Sequence, residues 1–294
     1  MRPRDFAGLA TLGALWGASF LFIRVAVPAL GPFLLVEVRV GVAAAVLSLS
    51  VLVARRVPKI RSRWRSFLLL GFINAAVPFS LISAAEIHLT ASLAAILNST
   101  TVMFTAIVAA LWMGDPLTVR KLVGIILGIV GVTALVGWDP LPLTGAVLLS
   151  VAAMLLASLG YALGGTYAKH SFSGIPPVGM AIGQLTAATT LLLPLSVVSA
   201  PGRTPSLVVA LCVLALALLS TVAAYLIYFR LITNVGPTST STVTLLVPVF
   251  GLLFGVLLLD EPFGPGTLVG LVLILSSVVL ITGVRTVSKE KAEG

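Results

Sequence analysis

Long uncharged intervals constrain this chain more than any motif does. Between Asp139 and Arg285 the only charged residues are Lys169, Arg203, Arg230, Asp260 and Glu261. The intervals 140–168, 170–202, 204–229, 231–259 and 262–284 are each 23 residues or longer. A helix that crosses a bilayer needs about 20 apolar residues. Five such intervals in succession read as five spans. The same reading holds before Asp139, where 6–23, 66–85 and 87–114 are uncharged and 25–54 carries only Glu37 and Arg39. Over all 294 residues, 59% are hydrophobic and 9% are charged, whereas a soluble domain is about a quarter charged. The surface-to-volume ratio of a soluble fold cannot hide this much apolar area. A soluble enzyme, a nucleic-acid module and a disordered chain are disfavoured.

Ten apolar segments emerge, at about 6–27, 32–54, 66–86, 91–112, 119–137, 143–167, 177–198, 206–229, 239–259 and 265–284. The expected fold is an all-α polytopic membrane protein. Turn-forming residues separate the segments: Pro28 and Gly31-Pro32, Pro58, Gly114-Asp115-Pro116, Asp139-Pro140, Ser173-Gly174, Pro201-Gly202, Gly236-Pro237 and Gly264-Pro265. Arg2 and Arg4 precede an apolar stretch, as in a signal peptide, but no cleavage-site pattern follows, so the stretch reads as a retained first span. The single cysteine, Cys212, lies in an apolar segment and cannot form an internal disulfide.

The basic residues set an orientation. With the N-terminus inside, the inside segments hold 15 of the 18 Lys and Arg residues. The outside loops hold Arg203 alone, and Arg24 and Arg39 fall within spans. Such a bias predicts an even number of spans with both termini cytoplasmic. It also gives the net charge of +9 a cause other than nucleic acid. Six basic residues from Arg55 to Arg65 are expected to meet anionic lipid.

An internal repeat is visible. Shifted by 146 residues, Asp115-Pro116 falls on Glu261-Pro262, Leu122-Val123-Gly124 on Leu268-Val269-Gly270, and Gly137 on Gly283. Shifted by 145, Trp16 falls on Tyr161 and Arg24 on Lys169. The chain divides into 1–138 and 139–294, each with five spans. Halves with an odd number of spans insert in opposite directions, and inverted repeats of this kind characterise secondary transporters with a site near the midplane. The expected architecture is therefore two inverted five-helix repeats around a central cavity.

These features resemble the EamA-type members of the drug/metabolite transporter superfamily. The residues carrying the resemblance are Trp16-Gly17-Ala18-Ser19-Phe20 with Arg24, then Arg39, then Val247-Pro248-Val249-Phe250, Asp260-Glu261-Pro262 and Leu268-Val269-Gly270. Within that family the chain is most similar to YddG-type amino-acid exporters. The resemblance implies ten helices, cytoplasmic termini, a central cavity and export of metabolites, amino acids or drugs across the inner membrane. Two departures stand out. Pro248 aligns with Val102 in the first half, and no acidic residue occurs from 6 to 36, where small multidrug members of the superfamily carry a membrane glutamate.

No Walker A sequence and no metal-ligand cluster is present, and His88 and His170 stand far apart. Neither a cofactor nor a metal is expected, and the chain is not expected to be an enzyme. Gly124, Gly128 and Gly131 lie in an apolar span with no preceding strand, so close helix packing is the better reading than a dinucleotide loop. Polar residues within spans are the candidates for binding. Substrate contacts are expected from Trp16, Ser19, Phe20, Asn74, Asn98, Thr101, Tyr161, Gln184, Tyr225 and Thr244. Each has a packing alternative: hydroxyls bond the preceding turn, and amides join helices. Gating or proton-linked roles are open to Glu86, His88, Arg39 and Glu37. Glu86 also reads as a hydrated residue at the interface. Pro78 and Pro248 are candidate hinges. The expected partners are a small-molecule cargo and the lipid bilayer, for a monomer or weak oligomer. The expected function is export of small metabolites by alternating access, with amino acids, including aromatic and other apolar ones, as cargo. The alternatives are a multidrug exporter of lipophilic cations and a membrane-embedded enzyme.

Overall fold

In hydrocarbon a backbone must satisfy its own N–H and C=O groups, so intervals this long and apolar fold as helices. The computed structural model describes residues 2–53, 63–138, 144–202 and 204–283. Among them there are helices and turns but no strand. Eight helices are long and apolar enough to cross a membrane, and Val243–Leu259 is a shorter one. The first, Pro3–Val53, is two helices that meet at Gly31. Ten rods result: α1 (3–30), α2 (32–53), α3 (Trp64–Ala85), α4 (Ala91–Met113), α5 (Val119–Gly137), α6 (Gly145–Ser171), α7 (Pro177–Val198), α8 (Leu207–Gly236), α9 (237–259) and α10 (Pro265–Thr282). This is a polytopic all-α membrane protein.

The rods differ from the expected segments mainly at their ends. α1, α6 and α8 run past 27, 167 and 229 to 30, 171 and 236. Lys169, His170 and Arg230 ride exposed on the added turns. A charge marks where hydrocarbon stops, not where a helix must. Pro28 does not end α1; the reversal waits for Gly31, whose φ of 71° and ψ of 164° only glycine adopts readily. Gly236 repeats the device at the α8–α9 joint, with φ 80° and ψ 166°. Asp139-Pro140, Arg203, the basic residues 55–61 and the C-terminal basic residues lie outside the described residues. Within the described part of the basic cluster, Arg63 donates to the Ser171 carbonyl at the end of α6, at 2.7 Å.

Small residues let the rods approach. Gly124, Gly128 and Gly131 are buried on one face of α5 against α10. The helix-packing reading of that glycine run is the one the structure realises. On α1, a Cβ at Gly17 would lie 2.7 Å from Phe250 Cβ and 2.8 Å from the Gly251 nitrogen of α9. α2 lies along α7, α3 against both α6 and α7, and α4 against α9.

Two stitches close one end of the bundle. Arg24 on α1 donates to the Glu86 carbonyl and, at 3.1 Å, to the Ile87 carbonyl just past α3. Glu261, between α9 and α10, accepts from the first amides of α4: Ala91 at 2.6 Å and Ser92 at 2.9 Å, with the Ser92 hydroxyl at 2.5 Å. A carboxylate there meets unpaired N–H groups and the positive end of the helix dipole. At the opposite end, Lys169 and Asp115, the residues that align with Arg24 and Glu261, are exposed.

Gly17→Ala is expected to cost about 1–3 kcal/mol through overpacking against α9. A lowered melting temperature of the purified protein checks this. Gly165→Ala on α6, where a Cβ meets nothing within 4 Å, should leave it unchanged.

Candidate functional site

Backbone irregularity concentrates at one level of the bundle. α4 is interrupted at Ser99-Thr100, where the amides bond three residues back: Ser99 to Ile96 at 3.1 Å and Thr100 to Leu97 at 3.0 Å. α9 is interrupted at Ser241-Thr242 in the same manner, with Thr244 bonding Ser241 at 3.1 Å and Leu245 bonding Thr242 at 3.0 Å. Threonine hydroxyls brace both breaks. Thr101 donates to the Asn98 carbonyl, and Thr244 to the Ser241 carbonyl, each at 2.7 Å. Two further irregularities are π-helical turns, Phe72–Ala76 in α3 and Leu218–Ala223 in α8. They begin 146 residues apart, the offset that aligns the two halves. Pro78 follows the first; it lacks an N–H and its ring crowds the carbonyl four residues back, which a widened turn accommodates. In the second, the Thr221 hydroxyl donates to the Leu216 carbonyl five residues back at 2.9 Å.

These four irregularities border a cavity of about 410 Å³. Small-molecule pockets occupy about 300–1,000 Å³ and combine apolar walls with a few polar groups. Trp16, Ser19 and Phe20 of α1 line it, with Asn74 of α3, Asn98 and Thr101 of α4, Tyr161 of α6, Tyr225 of α8 and Thr244 of α9. Nine of the ten expected substrate contacts thus converge. Two aromatic groups face the space from different rods. Trp16 and Tyr228 have ring centroids 5.5 Å apart, and Phe79 and Tyr161 meet edge-on at 6.1 Å.

The tenth, Gln184, is not among the lining residues. It is buried behind the wall, where Asn74 Nδ2 donates to its Oε1 at 2.9 Å and its Nε2 donates to the Tyr225 hydroxyl at 3.1 Å. Its amide thus joins α3, α7 and α8 and holds two lining residues, Asn74 and Tyr225. Asn98 differs. Its Oδ1 is buried without a hydrogen-bond partner among the described residues, as is Ser220 Oγ.

The charged candidates separate. Arg39 lines the cavity from α2; its Nε donates to Thr221 Oγ1 at 3.1 Å, and its guanidinium lies 3.9 Å from the Phe79 ring centroid. Glu86 is not a hydrated interfacial residue: it is 0% exposed, with Arg24 donating to its backbone carbonyl. Neither of its carboxylate oxygens has a hydrogen-bond partner among the described residues. His88, two residues on, is exposed and away from the cavity. Glu37 is half-buried; its Oε1 lies beside Gly41, which faces Thr189 of α7, and it does not line the cavity. Pro78 and Pro248 are buried within α3 and α9, Pro78 just past the π turn and Pro248 inside the regular stretch beyond the α9 break.

Several lining residues were not expected: Phe79, Ser99, Ser220, Thr221 and Ser241 among them. The adjacent hydroxyls Ser220-Thr221, isolated in an otherwise apolar span, were the available signal.

Known proteins share this build. The model of the EamA-like transporter family matches residues 7–137 and again 148–283. The chain belongs to that family. An uncharacterized inner membrane transporter, YedA of Escherichia coli strain K12, is 30% identical over 94% of this chain and 90% of its own length. Protein PecM of Dickeya dadantii is 26% identical, covering 99% and 96%. An uncharacterized transporter, YvbV of Bacillus subtilis, is 25% identical, covering 97% and 94%. A protein of known crystal structure superposes with a TM-score of 0.69 at 18% identity over 95% of this chain and 96% of its own, a likeness of fold alone. The family and the relatives make this a membrane transporter.

Trp16→Ala and Tyr161→Ala should each weaken cargo binding about tenfold, a loss within the range of a buried aromatic contact, while the folded yield holds. Titration of purified protein, compared with its size-exclusion profile, checks this. Parallel loss of folded protein assigns both rings to packing.

Proposed function

We propose that the protein exports small metabolites, amino acids with aromatic and other apolar side chains among them, across the inner membrane by alternating access. In this reading 1–138 and 139–294 are inverted halves that rock about the cavity, and both termini are cytoplasmic. The observation that carries it is the coincidence of the cavity with interruptions in both halves. Irregular backbone at membrane depth is tolerated where it lines a cavity, and broken helices in corresponding positions point to a transporter's site. The aromatic walls and few polar groups suit an amphiphilic solute. Among the described lining residues no carboxylate is present to attract a lipophilic cation, and the one formal charge is Arg39.

The stitches supply a conformation. With the proposed topology, Arg24 and Glu261 seal the outer end, while Lys169 and Asp115 at the inner end are exposed. The structure then corresponds to the state that takes up cargo from the cytoplasm.

Counterflow in liposomes with a panel of amino acids, sugars and cationic dyes tests the function. Exchange of apolar amino acids is expected. Exchange of dyes alone assigns the drug-exporter alternative, and no exchange of any solute overturns the reading. Orientation is checked separately on a Cys212→Ser background. Thr204→Cys should react in intact spheroplasts with a membrane-impermeant maleimide, and Ser173→Cys only after lysis.

A further inference from the structure

The cavity contains a guanidinium that the protein holds firmly and uses incompletely. Arg39 is 7% exposed. Its Nε edge is tethered to Thr221, and one of its faces is covered by the Phe79 ring. Those two contacts fix both the position and the plane of the group. The two terminal nitrogens make no hydrogen bond to a described residue, and neither belongs to the occluded polar atoms that lack a partner. They therefore open onto the cavity that Arg39 lines. Glu86 lies near enough to act on this charge electrostatically, yet both its oxygens remain without a hydrogen bond and it makes no ion pair with Arg39 among the described residues.

A buried cation without a partner is expensive at membrane depth. The expense is offset when an anion completes it. A planar guanidinium with one edge tethered presents its remaining donors as a fork, the geometry that a carboxylate accepts with both oxygens. Nothing else in the lining carries positive charge among the described residues. We infer that Arg39 binds the carboxylate of the cargo, so that the transported solute is a carboxylic acid whose apolar part rests against Trp16 and Tyr228. This rests on the transporter reading of the cavity and narrows its substrate class. Asn98 lines the same space, but its Oδ1 is occluded. A carboxylate on the cargo thus answers the guanidinium, whereas a lipophilic cation meets a fixed like charge.

The test uses the full-length protein in detergent and in liposomes, with phenylalanine, phenylalaninamide and phenylacetate as probes. Trp16 fluorescence reads binding, and counterflow reads transport. Phenylalanine should bind at least about tenfold more tightly than its amide, in line with charge-assisted hydrogen bonds to a buried group. Arg39→Gln should remove that preference and leave amide binding in place. Arg39→Lys, which keeps the charge and loses the fork, should retain part of it. Equal affinity for acid and amide overturns the assignment, as does an unchanged preference in Arg39→Gln. A loss of the same size in Glu86→Gln also overturns it, because Arg39 would then serve Glu86 and not the cargo. Counterflow of an uncharged solute without any binding of the acids discards the Arg39 site and keeps the transporter; absence of both discards both.

Discussion

A backbone in hydrocarbon has no water to fall back on, and the rest of this structure follows from that constraint. Ten rods satisfy their own amides and carbonyls. Where the ladder is interrupted, something must cover the freed groups. In α4 and α9 the cover is local: bonds to the carbonyl three residues back, with threonine hydroxyls as braces. In α3 and α8 the ladder widens for one turn and then resumes. All four interruptions border the same cavity. The place where the fold departs from regularity is the place where polar groups face the cavity.

The ends of the bundle obey the same rule with side chains in place of backbone. Arg24 takes up carbonyls that α3 leaves unpaired, and Glu261 takes up amides that α4 leaves unpaired. Each contact exists only while two parts of the bundle stand together. The sequence places a second basic–acidic pair, Lys169 and Asp115, where inverted halves would bring it to the other end, and there both are exposed. One end of the bundle is stitched by residues whose counterparts at the other end stand exposed.

The rods were legible because charge is scarce and each charge therefore carries information. Arg230 and Lys169 misplaced two helix ends, since a long basic side chain rides on a helix that continues past the hydrocarbon. The cavity was legible in outline: polar and aromatic residues deep in spans are costly, and most of those picked out converge. Gln184 shows the limit of that rule. An amide joining three helices and an amide facing cargo look alike in a sequence, and only the positions of Asn74 and Tyr225 tell them apart. Glu86 shows another limit, because it is buried beside Arg24, a residue 62 positions away. The π turns left no sequence signal beyond Pro78, and α8 makes its own without a proline.

α4 and α9 end alike. Gly114 and Asp260 both adopt left-handed conformations, with φ of 70° and 52°, and stand 146 residues apart. Their stretches from break to cap are unequal, however: 13 residues in α4 and 17 in α9. Four residues add about one turn, or about 6 Å of rise. The two halves are therefore not exact copies of each other about the cavity.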